Sequence, residues 1–182
     1  MTTALVPFAP GFEEMEGVII VDVCRRAGWR VDTVGLAPGL VKASRGVLVQ
    51  PDLVWGETDP LSYDLLILPG GAGGTDALIQ DRRVLATIQA FAKAGKWIGA
   101  ICAAALALQA AGILTGQHKI TCHPAVEKKL TAAPRQTART VVDGRLITSQ
   151  GPGTAFDFAL ALVRVIDGPA LADKLSREMV LT

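Results

Sequence analysis

The chain has 182 residues, of which 50% are hydrophobic and 19% charged, and its formal net charge is +1. That length suits one domain around one core, so residues 1–182 are expected to form a single unit. With so little net charge and no basic block longer than Arg25-Arg26, nucleic acid and anionic membranes are not expected as partners.

The opening residues Met1-Thr2-Thr3-Ala4-Leu5-Val6 lack the basic start and long apolar stretch of a signal peptide. No apolar run approaches the ~20 residues that cross a bilayer. A soluble, cytoplasmic protein is the expectation. Residues 4–8 read as a short buried strand, with Pro7 at its end because proline cannot donate to a ladder. Pro10-Gly11 turns the chain into a helix with Glu13 and Glu14 in its first turn, Arg25 and Arg26 in its last, and Gly28 ending it. Residues 29–34 are the next strand, and short strands follow between residues 40 and 54, including 47–49.

Residues 64–68 (Asp-Leu-Leu-Ile-Leu) form a continuous apolar run, the pattern of a strand buried on both faces. It stops at Pro69-Gly70-Gly71, after which a glycine-rich loop and a helix beyond Asp81 are predicted. Residues 97–101 are a second buried strand that runs directly into Cys102 and an alanine-rich helix ending near Gly112. Residues 119–122 read as another strand. Residues 140–142 and 146–149 make a hairpin around Asp143-Gly144. Gly151-Pro152-Gly153 leads into one long final helix, for which Thr154 and Asp157 suggest a capping box. Strands alternating with helices argue for an α/β fold: an open, mostly parallel sheet with helices on both faces. Sites in such sheets form beyond the carboxyl ends of strands, which singles out the segments before Gly70, Cys102 and His123.

The three cysteines, Cys24, Cys102 and Cys122, form no Cys-x-x-Cys pair, which argues against a disulfide framework or a structural zinc site. Cys102 stands where strand meets helix with no loop between, a position that forces a tight, strained turn. Unpaired N–H groups at the start of a helix favour a thiolate there, so a lowered thiol pKa is expected; the bland alternative is an ordinary buried cysteine. Cys24 and Cys122 read as packing. Glu16 has Ile19, Ile20 and Val23 at helical spacing, which places it inside the buried stripe of its helix. A carboxyl buried there can persist as a neutral acid beside a thiolate, unless it escapes to solvent. Glu13 and Glu14 fit the solvent-facing reading better. His123, at another carboxyl end and before Pro124, is either a proton shuttle for Cys102 or a loop histidine without a role. Gly70-Gly71 lets backbone N–H groups approach an incoming oxygen, and an oxyanion site from Gly71 and Ala103 would lie beside Cys102. No phosphate-cradling glycine motif is present.

Glu13-Glu14-Met15-Glu16, Leu68-Pro69-Gly70-Gly71, Ala100-Ile101-Cys102-Ala103, His123-Pro124 and Thr148-Ser149-Gln150-Gly151-Pro152-Gly153-Thr154 occur in that order. Together they resemble the ThiJ/PfpI superfamily and, within it, the Parkinsonism-associated deglycase branch with its bacterial relatives. The resemblance implies a flavodoxin-like fold and a homodimer with Arg26 and Arg45 near its interface. It implies Cys102 as nucleophile, Glu16 as the acid bonded to it and His123 as a nearby proton carrier. Ala104-Ala105 stand where that branch often has Gly-Pro, and Pro7 interrupts the first strand; both departures bear on substrate preference.

The function expected is a glyoxalase or protein deglycase that uses no metal or organic cofactor. Its partners would be 2-oxoaldehydes such as methylglyoxal, or glycated protein side chains. The alternative is a redox-switched chaperone or oxidative-stress sensor acting through oxidation of Cys102. A glutaminase or peptidase is less well supported, because Pro124-Ala125 follow His123 where related glutaminases have His-x-Glu.

Overall fold

A computed structural model describes residues 1–181. In chain order the principal elements are β1 (Thr3–Phe8), α1 (Glu14–Arg26), β2 (Arg30–Gly35), β3 (Val41–Lys42), β4 (Leu48–Val49), β5 (Leu53–Val54), β6 (Leu65–Leu68), α2 (Ala72–Gln80), α3 (Arg82–Lys93) and β7 (Trp97–Ile101). They continue with α4 (Ala105–Ala110), β8 (Thr140–Asp143), β9 (Leu146–Ser149), α5 (Ala155–Ile166) and α6 (Pro169–Glu178). Seven strands make one sheet in the order β5-β2-β1-β6-β7-β9-β8, parallel except for the β8–β9 hairpin. β3 and β4 form a separate small ribbon.

The period of two along each strand sends alternate residues to opposite faces. Leu5, Leu66 and Leu68 join one core with Leu78 of α2, Ile88 and Phe91 of α3, and Leu108 of α4. Ala4, Val6, Leu65 and Ile67 join the other with Ile20 of α1, Phe158 and Leu162 of α5, and Leu175 of α6. This is the expected α/β sandwich, and the continuous apolar run at 65–68 reflects burial on both sides. Each fully buried Leu or Phe side chain contributes about 1.5–3 kcal/mol relative to exposure.

Several sequence expectations are corrected. Pro7 lies inside β1, opposite Val34, not at its end. The ladder from β1 to β6 pairs only Ala4 and Leu5, so the missing N–H falls where that pairing has stopped. The glycine-rich stretch after Gly71 is helix α2, not loop. Its glycines serve close packing: a Cβ on Gly74 would stand 2.6 Å from the Phe12 Cα. Residues 119–122 are not a strand. Ile120 makes one isolated bridge to Arg135, and the Thr121 N–H is taken by the Thr148 hydroxyl at 2.9 Å instead of by a backbone carbonyl.

The helix after Cys102 begins as a 3-10 turn, Cys102–Ala104, before α4. The final helix is two helices, since Gly168, with φ of 96°, and Pro169 break it. Thr154 and Asp157 form no capping box. The Thr154 hydroxyl bonds to Gly151 and Ser149, and Asp157 pairs with Arg139. No helix among the described residues is long and apolar enough to cross a membrane.

Candidate functional site

β1 is flanked by β2 on one side and β6 on the other, so successive crossovers leave it in opposite directions. A crevice opens at the carboxyl ends of such a pair. α1 starts beyond β1, Gly70 lies beyond β6, and Cys102 lies immediately beyond β7. These three ends bring together residues that are far apart in sequence.

Cys102 has a φ of 63°, a left-handed conformation that costs a non-glycine residue about 1–2 kcal/mol. The turn is held by neighbours: the His123 N–H donates to the Cys102 carbonyl at 3.2 Å. Cys102 retains 8% exposure, whereas Cys24 and Cys122 have none. The N–H groups of Gly71 and Ala103 lie near enough to its sulfur to favour the charged form. Gly70 must be glycine for this approach, because a Cβ there would stand 2.5 Å from the Cys102 Cβ and 2.8 Å from the Glu16 Oε2.

Glu16 is fully buried, as its place in the helical stripe implies. Its Oε2 accepts the Gly70 N–H at 2.7 Å. Oε1 is buried and meets no partner at hydrogen-bond geometry, and the polar group the carboxyl faces is the Cys102 thiol. Burial raises the Glu16 pKa from 4.5 to about 7, against the opposing Gly70 N–H and Cys102 thiol. The expectation of a lowered thiol pKa is corrected. Burial first, then the Glu16 charge, push Cys102 up to about 12, and the Gly71 and Ala103 N–H groups only partly offset them. Gly71 at the start of α2 and Ala103 in the 3-10 turn supply those two donors, and desolvation outweighs them. At neutral pH Cys102 therefore rests as the thiol, while Glu16 passes between acid and carboxylate. When Glu16 holds its proton, the charge that opposes a thiolate disappears and the acid can donate to sulfur.

The solvent-facing reading of Glu13 and Glu14 fails for Glu14. It is buried, and its Oε2 accepts the Ser44 hydroxyl at 2.8 Å while its Oε1 accepts the Arg45 N–H at 2.9 Å. Burial raises the Glu14 pKa, but the hydrogen bonds outweigh it and hold the carboxyl below its ordinary value. Arg45 thus meets the site's border through its backbone, and its side chain is exposed. Arg26 is also exposed and pairs with Asp22 one turn earlier at 2.6 Å.

His123 caps the 3-10 turn Pro124–Lys129, and its Nδ1 accepts the Ala125 N–H at 3.2 Å. Its ring lies against Gly151. Gly151 and Ala125 are contacts that residue-by-residue reading missed; histidine followed by proline at a helix start is the signal that could have found the second. A cavity of about 410 Å³ at the amino ends of β7 and β9 lies at the opposite end of the sheet from Cys102. Its Lys96 ammonium already donates to the Tyr63 carbonyl, and no cysteine lines it. Among the described residues no three His, Cys, Asp or Glu side chains cluster as metal ligands would.

Residues 2–165 match the DJ-1/PfpI family. The chain belongs to that family. It is 43% identical over 175 residues to the protein DJ-1 homolog B of Arabidopsis thaliana, covering 95% of this chain and 40% of that longer relative. It is 34% identical over 171 residues to the glutathione-independent glyoxalase DJR-1.2 of Caenorhabditis elegans, covering 93% of this chain and 90% of the relative. Among solved structures, oxidised Toxoplasma gondii DJ-1 superposes with a TM-score of 0.94 at 32% identity, covering 99% of this chain and 98% of the other. A DJ-1/PfpI chain with this geometry should react first at Cys102. Brief alkylation at neutral pH, read by peptide mass, is expected to label Cys102 well before Cys24 or Cys122, the two without exposure. Equal labelling of all three would contradict the assignment.

Proposed function

We propose that this protein is a cofactor-free glyoxalase that converts 2-oxoaldehydes such as methylglyoxal to 2-hydroxy acids, and that acts as a deglycase on early glycation adducts by the same chemistry. The observation that carries this reading is the fully buried Glu16 carboxyl, held by the Gly70 N–H and facing the Cys102 thiol at its strained turn. A glutathione-independent glyoxalase among the relatives supports it.

Cys102 as thiolate, with the proton on Glu16, attacks the aldehyde carbon C1. The C1 oxygen takes the new negative charge, held by the Gly71 and Ala103 N–H groups that held the sulfur one bond away, and receives the Glu16 proton. The hemithioacetal and a Glu16 carboxylate result. A base, Glu16 or His123, removes the C1 proton to give the enediolate, and C2 is protonated. The product is a thioester of the 2-hydroxy acid, which water hydrolyses to free the acid and restore the thiol. Purified protein given methylglyoxal is expected to form many equivalents of lactate per Cys102. A yield of one equivalent or less would reject the reading.

A redox-sensing role has its own support. The acid and the N–H donors around Cys102 would hold the oxygens of a sulfenate or sulfinate as well as an oxyanion. Three free cysteines fit a reducing compartment such as the cytoplasm.

We also propose a homodimer through the outer face of α1. Met15 and Val18 on that helix and Leu48 on the adjoining ribbon are more than half exposed, at 54%, 52% and 59%. Sedimentation at micromolar concentration should show about twice the chain mass of 19.1 kDa, and a monomer would rule the dimer out.

A further inference from the structure

Two cations at the amino end of the sheet are held in place without a carboxylate. Lys96 donates one of its three hydrogens to the Tyr63 carbonyl at 2.6 Å, a contact that leaves two donors and cancels no charge. The Arg145 guanidinium carbon lies 4.5 Å from the centre of the Trp97 ring, a stacking that steadies the fork and occupies none of its N–H donors. Neither side chain forms an ion pair among the described residues.

Both line the cavity of about 410 Å³ at the amino ends of β7 and β9, together with His118. The Thr115 N–H donates to His118 Nδ1 at 3.0 Å, so the neutral ring carries its proton on Nε2 and has a donor to offer there. Asp143 is the carboxylate of the lining, and its Oδ2 accepts the Lys119 N–H at 2.9 Å. Ile113 supplies apolar wall. Two fixed positive charges thus stand against one negative charge. The volume falls within the range of small-molecule sites, about 300–1,000 Å³, and leaves room for more than a bare ion.

We propose that this cavity binds a small phosphate monoester, with the dianionic head on Lys96 and Arg145 and the organic body against Ile113. A phosphate head suits the pair, because arginine presents a planar fork to two of its oxygens and lysine a point charge to another. The His118 N–H adds a neutral donor. Repulsion from Asp143 is the smaller effect, since one carboxylate is set against two cations. The body is what separates such a ligand from free phosphate, which has nothing to place against the apolar wall. No bond is made or broken here, and the site lies at the far end of the sheet from Cys102, so the proposal does not depend on the glyoxalase reading.

Titration of the ¹⁵N-labelled chain at low ionic strength, followed by amide NMR shifts, tests this with phenyl phosphate as the monoester and inorganic phosphate as the comparison. Phenyl phosphate is expected to give saturable shifts at Gly95, Lys96, His118 and Gly144, with a Kd below about 1 mM. Inorganic phosphate should move the same amides with an affinity at least about three-fold weaker. Arg145 is exposed, so Arg145→Gln should leave the rest of the spectrum in place and weaken phenyl phosphate about ten-fold, the scale of one charge-assisted hydrogen bond. Lys96→Gln should do the same. No saturation by about 10 mM, shifts centred elsewhere, or an unchanged Kd in Arg145→Gln overturns the proposal. Equal affinity for the two phosphates also overturns it, leaving an adventitious ion only.

Discussion

Cys102→Ser is expected to reduce lactate formation from methylglyoxal by at least about a thousand-fold, the scale of loss when a covalent nucleophile is removed. Serine has nearly the same size and can occupy the strained turn at φ of 63°, so the fold should survive. Its hydroxyl is a far poorer nucleophile than a thiolate and has no sulfur oxidation ladder. The assay must follow lactate, since any free thiol traps the aldehyde reversibly and imitates its disappearance. A wild type that forms no lactate but gains two oxygens at Cys102 under mild peroxide would replace the enzyme with the sensor. A Cys102→Ser protein that forms lactate as fast as wild type would remove Cys102 from both schemes.

Glu16→Gln is expected to act in opposite directions on turnover and stability. It removes the acid proposed to protonate the hemithioacetal oxygen, a loss of about a hundred-fold or more in kcat. For stability the sign follows from the raised native pKa. The native state holds this proton more tightly than the unfolded chain does, so the contribution is fully present below pH 4.5 and is lost as pH rises to about 7. The interval from 4.5 to about 7 corresponds to about 3 kcal/mol in the wild type. The glutamine amide is neutral throughout, so the variant should lack this loss and gain on the wild type above pH 7. Urea denaturation at both ends of that window measures it. Parallel pH–stability curves for the two proteins, or an unchanged pH–rate curve, would show that Glu16 is not the neutral buried acid described.

The raised pKa keeps Cys102 a thiol at rest, so its reaction calls for exposure and for a base beside it. Burial alone would leave Cys102 protonated at neutral pH, as it does Cys24. Cys102 differs from Cys24 in its 8% exposure and in the buried Glu16 beside it, which as a carboxylate can take the thiol proton when an aldehyde arrives. The strained turn matters because it sets the sulfur near the Gly71 and Ala103 N–H groups, and strain of this kind is typical of sites where geometry serves chemistry.

Periodicity and turn chemistry were enough, by sequence alone, for the parallel α/β fold, the strand-to-turn position of Cys102 and the burial of Glu16. These depend on local patterns: apolar runs at 65–68 and 97–101, and Ile20 and Val23 one and two turns beyond Glu16 on one helix face. Tertiary structure decided the rest. Glycines at 73 and 74 look like loop residues until Gly11 and Phe12 are placed against them, and residues 119–122 look like a strand until the Thr148 hydroxyl takes the Thr121 N–H. Glu14 reads as a surface carboxylate until Ser44 and Arg45 close over it. The direction of the Cys102 shift depends on desolvation, on the Glu16 charge and on the N–H groups of Gly71 and Ala103. Such contacts are set by how three strand ends meet in space, and no linear spacing encodes them.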